Sequence, residues 1–78
     1  MIGELESLIK ESDYMYEAGL NCFKNNYFYA GQYMVEAVNA RYNYLSKQSL
    51  PMNVKSHLFV NKVFLEAHLS LYKYLGRR

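Results

Sequence analysis

The sequence predicts an all-α fold: three helices, an N-terminal antiparallel hairpin plus a third helix laid across it, completed into a helical bundle by dimerisation. Three observations carry this. Polar residues recur at three- and four-residue steps along three separate segments. Two interruptions divide those segments, Asn25-Asn26 and a loop with the single proline, Pro51. The third segment is apolar around most of its circumference, more than one hairpin can cover. With 78 residues, the chain is read as one helical domain over 1–78. A domain of that size is marginal as a monomer.

The first helix is expected from Ile2 or Gly3 to Phe23. Leu5, Leu8, Ile9, Met15, Tyr16, Cys22 and Phe23 form its apolar stripe. Glu6, Lys10, Asp13, Glu17, Asn21 and Lys24 line the other side. The acids Glu4, Glu6, Glu11, Asp13 and Glu17 read as one solvated side.

Asn25-Asn26 ends that helix, because Asn tolerates the left-handed conformation, and it is also expected to cap the next one. The second helix then runs from Tyr27 to Leu45, with Gln32, Glu36, Asn39 and Asn43 as its polar edge. So short a turn makes the two helices antiparallel neighbours. Residues whose numbers sum to about 50 should face each other, since the turn centres on Asn25. Gly19 then meets Gly31, Met15 meets Val35, Ser12 meets Val38, and Leu5 meets Leu45. The hairpin face of the second helix is centred on Ala30, Met34 and Ala37.

The third helix is expected to start at Val54 with Asn53 as its cap, Ser49 being the other candidate, and to end near Leu75 before Gly76. Lys55, Lys62, Glu66, Ser70, Lys73 and Arg77 are its polar edge. Phe64 and Leu71 are the expected dimer contacts on its surplus apolar surface.

Charge is unevenly placed. Residues 1–24 carry five acids against Lys10 and Lys24, while residues 47–78 carry Lys47, Lys55, Lys62, Lys73, Arg77 and Arg78 against Glu66. Acidic and basic ends can attract within or between chains. Lys55, Lys62, Lys73, Arg77 and Arg78 are the phosphate contacts of a rival reading, a small nucleic-acid-binding regulator. That reading is not favoured, because these charges are spread along the helix rather than clustered.

No catalytic or metal constellation stands out, and neither an enzyme nor a cofactor is expected. His57 and His68 lie 11 residues apart on one helix, roughly 16 Å of rise. His57 is expected to be exposed or bonded to the preceding loop. Cys22 falls on the apolar stripe and reads as a small hydrophobe. Glu36 and Arg41 do not share a face. Tyr29, Tyr33 and Tyr44 lie off the hairpin face and are expected to contact a protein partner. One cysteine excludes an internal disulfide and suits a cytoplasmic setting. The acidic start is not expected to be a signal peptide. No apolar run approaches the ~20 residues of a membrane span, so no membrane partner is expected.

The order of features resembles the first part of a HEPN domain, the helical family named from higher eukaryotes and prokaryotes nucleotide-binding. Glu17-Ala18-Gly19-Leu20 is followed by the break Lys24-Asn25-Asn26. Tyr27-Phe28-Tyr29-Ala30 opens a helix with Val35-Glu36-Ala37 in its middle and Arg41-Tyr42-Asn43-Tyr44-Leu45 near its end, and Ser56-His57-Leu58 follows the loop. The match covers about residues 14–60. HEPN ribonucleases carry an Arg four to six residues before a late His, and neither His57 nor His68 has one. The resemblance therefore implies a non-catalytic dimeric member paired with a nucleotidyltransferase in a toxin–antitoxin-like module. A weaker resemblance, through Tyr14, Ala18, Tyr27, Ala30 and Ala37, is to one tetratricopeptide-like hairpin, which would imply an adaptor or chaperone. No second copy appears at the 34-residue period of that repeat.

Overall fold

A computed structural model describes the backbone of residues 2–76 and the side chains of residues 3–75. Arg77 and Arg78, two of the expected phosphate contacts, lie outside the described residues. The described chain forms three helices, α1 (Ile2–Lys24), α2 (Phe28–Ser46) and α3 (Met52–Gly76), with no strand among the described residues. The fold is all-α.

The break after α1 is built as the sequence implies. Asn26 is left-handed, with φ of 65°. The amide of Tyr27 donates to the Cys22 carbonyl at 2.7 Å and that of Asn26 to Phe23 at 3.1 Å. Two carbonyls that the last turn would leave unpaired are thus satisfied. Asn26 does not cap α2, however. Tyr27 occupies that position and makes no side-chain cap bond.

The start of α3 also differs from expectation. Neither Asn53 nor Ser49 caps it. The Pro51 carbonyl accepts from the amides of Val54 and Lys55, both at 3.1 Å, and the helix begins at Met52. Proline suits this place because its missing N–H is needed by no helical carbonyl.

Each helix touches both others. α3 lies lengthwise along the hairpin rather than across it. Asp13 meets His57 and Asn61, Gly19 meets Leu65, and Phe23 stacks on Tyr72. Levels therefore rise together along α1 and α3, which run in the same direction. The molecule measures 47 × 18 × 16 Å.

The interior has two apolar clusters. One joins Phe23, Val35, Val38 and Leu65, with Met15, Tyr16 and Tyr72 against them. The other joins Leu45, Val54 and Leu58, with Leu5, Leu8 and Ile9 against them. Met15 thus shares a cluster with Val35, and Leu5 with Leu45, as the hairpin register implies. At Gly19 and Gly31 the nearest neighbours of an added Cβ are side chains. A Cβ on Gly19 would stand 2.7 Å from a methyl of Leu65, and one on Gly31 would overlap the Phe23 ring. Each glycine makes room for a large side chain. The hairpin face of α2 is also rotated from expectation. Its buried residues are Gly31, Val35, Val38 and Leu45, while Ala30 is exposed.

Candidate interaction surface

A polar layer ties the helices together between the apolar clusters. Asn61 is buried on the α3 row Val54, Leu58, Asn61, Leu65. Its Nδ2 donates to Ser12 Oγ at 2.9 Å and to Asp13 Oδ1 at 2.8 Å. The same Asp13 oxygen lies 2.7 Å from His57 Nε2. These bonds, first that of His57 and then that of Asn61, hold the Asp13 carboxyl below its ordinary value of 3.8, against the opposing pull of partial burial. On the α2 side, Arg41 Nε donates to Glu11 Oε1 at 2.7 Å. Asn39 Nδ2 donates to Glu66 Oε2 at 2.8 Å, and Lys62 Nζ lies 3.4 Å from the other Glu66 oxygen.

The acids of α1 are therefore not one solvated side. Glu11 and Asp13 hold α2 and α3 in place. His57 is exposed, but its bond is to Asp13 on α1 and not to the preceding loop. Sequence reading missed this layer. The signal available for it was Asn61, a polar residue in an otherwise apolar row at four- and three-residue steps.

Between Glu11, Ser12, Met15, Val38, Arg41 and Leu58 is a crevice of about 10 Å³, room for no more than one water. The larger exposed features are apolar faces. On α2, Tyr29, Tyr33 and Tyr44 are 84, 69 and 60 % exposed. The Arg41 guanidinium sits 5.9 Å from the Tyr44 ring centre, its charge over the ring face. On α3, Phe64 and Leu71 are 54 and 51 % exposed. Val60, Ala67 and Tyr74 are exposed as well. These five follow one another at steps of four, three, four and three, so they make a single line along the helix.

The described cations of α3, Lys55, Lys62 and Lys73, share one edge of the helix with Glu66. Lys62 is tied to Glu66 and lies 5.7 Å from the Tyr42 ring centre and 5.8 Å from that of Phe59. Lys55 is half-buried and Lys73 exposed, with the Glu66 carboxylate on the edge between Lys62 and Lys73. Among the described residues, no helix is long and apolar enough to cross a membrane.

No protein-family model matches the chain, and neither a curated protein nor a solved structure shows significant similarity to it.

Proposed function

We propose that the chain is a non-catalytic protein–protein interaction module of the cytoplasm. It works as a homodimer through α3 and offers the tyrosines of α2 to a different protein. The observation that carries the reading is the unbroken apolar line on α3 in the folded chain, with the tyrosine face on a separate helix. Lines of this kind are what helices bury against each other. Tyrosine suits a hetero-partner, since it joins a large contact area to a polar tip at small entropic cost. The ionisable groups support the same reading. Glu11, Asp13, Arg41 and Glu66 are engaged in holding helices together rather than gathered in a cleft. The HEPN resemblance names a nucleotidyltransferase as the first partner to try.

Light scattering at micromolar concentration should give twice the chain mass of 9.2 kDa; a stable monomer overturns the homodimer. For the α2 face, the wild type and a Tyr29→Ala/Tyr33→Ala variant are compared in pull-downs from the native cell. Loss of a specific partner, with thermal unfolding unchanged, is the expected result. Identical partners overturn the role of these tyrosines.

A further inference from the structure

The α3 line fits one occupant better than others: a second copy of itself, running the opposite way. Its side chains are complementary in size about the middle. Setting two copies antiparallel, with the two-fold axis at the level of Leu65 and Glu66, places Phe64 against Ala67 of the second copy. Val60 then lies against Leu71 of the second copy. Phe64 thus meets the smallest side chain of the line, Val60 and Leu71 meet each other, and Tyr74 lies against His57 of the second copy. A parallel pair in register would instead stack Phe64 on Phe64 and leave a gap at Ala67 on both chains. Voids and overlaps of that kind cost stability.

Charge on α1 selects the same orientation. His57 lies on the α3 line, three residues before Val60, and it bonds to Asp13. The line therefore borders the polar edge of α1 that holds Lys10, Asp13, Glu17 and Lys24. Levels on α1 and α3 rise together, so an antiparallel α3 pair also sets two α1 edges antiparallel. Lys24 then falls opposite the Asp13–Glu17 stretch of the second copy. A parallel two-fold pair would put the two α1 edges on opposite sides of the α3 pair and forgo this attraction. The α3 line itself carries no charged residue from Val60 to Tyr74, so it can be desolvated without stranding an ion.

We infer that the protein forms an antiparallel, two-fold dimer in which the Val60–Phe64–Ala67–Leu71–Tyr74 line of α3 packs on its own copy, with Phe64 seated on Ala67. This rests on the homodimer reading above and adds its geometry. Two-fold closure uses up the line on both chains, so assembly stops at two. α2 and its tyrosines remain on the outside.

The test is cross-linking in a Cys22→Ala background, with folding checked by circular dichroism and mass by light scattering. Val60→Cys and Leu71→Cys chains are mixed and oxidised. The expected result is a dimer whose Val60→Cys chains link to Leu71→Cys chains and not to themselves. Val60→Cys chains linked to themselves would overturn the antiparallel arrangement while leaving the dimer intact. A dimer with neither link would overturn α3 as the interface. A monomer overturns this inference and the homodimer reading together. As a second variant, Phe64→Glu should weaken association on the order of a hundredfold. Phe64 is half-exposed in the single chain, so the fold survives the change, and unaltered association would also overturn the inference.

Discussion

At the scale of single residues, two glycines do the same thing with different tolerance. Both sit inside helices, where Ala would be favoured by about 1 kcal/mol. Both are closed to a Cβ by a buried neighbour. The neighbours differ in how they can yield. Leu65 presents methyl groups that a small rotation moves aside. Phe23 presents a rigid ring stacked on Tyr72 at 5.5 Å between centres. Gly31→Ala should therefore destabilise by about 1–2 kcal/mol, overpacking exceeding the propensity gain. Gly19→Ala should stay within about 1 kcal/mol of wild type, and urea unfolding of the two variants checks the order. Asp13 makes a second prediction at this scale. Its folded-state pKa is depressed, so its stabilising contribution is complete above 3.8 and is lost as pH falls through the lower folded value. Asp13→Asn should be less stable than wild type at neutral pH. The difference should shrink in urea titrations run progressively below pH 3.8. A constant difference across that range would contradict the assignment.

At the scale of elements, the weak point is the start of α2. Tyr27 holds the cap position with φ −88° and ψ 71°, makes no side-chain cap bond, and no acid lies in the first turn. The orphan amides there and the positive end of the helix dipole lack the usual anion or oxygen acceptor. Tyr27 is largely exposed, so replacing it gives up little burial. Tyr27→Asp should raise stability by about 1 kcal/mol in urea unfolding; a decrease would show that the ring contributes more than the cap. The helices themselves were legible, because periodicity and the Asn25-Asn26 signal are local. What sequence could not give is the azimuth of each helix. The Ala30, Met34, Ala37 face was a reasonable stripe by composition, yet α2 turns Gly31, Val35 and Val38 inward so that Phe23 can fill the space above Gly31.

At the scale of the whole molecule, the missed polar layer has the same cause. His57 and Asn61 reach Asp13 across 44 and 48 residues of sequence. Periodicity tells which residues share a face, but not which other helix that face meets. A carboxylate at a helix–helix edge then looks like one in open water. The exposed tyrosines and the apolar line of α3 were legible for the opposite reason. They exceed what one hairpin can cover, and a rod 47 Å long and 18 Å wide has little interior in which to hide them.

The seating of Phe23 over Gly31 also predicts an order of folding events. These residues are separated by eight positions along the chain and flank the left-handed turn at Asn26. Closing so short a loop loses little chain entropy and is fast. The approach of Leu65 to Gly19 spans 46 positions and costs more chain entropy to close. Loop length thus predicts the α1–α2 hairpin as the folding nucleus, with α3 condensing onto a groove shaped by an aromatic ring and a missing methyl group; higher φ-values at Val35 than at Leu65 are the expected result.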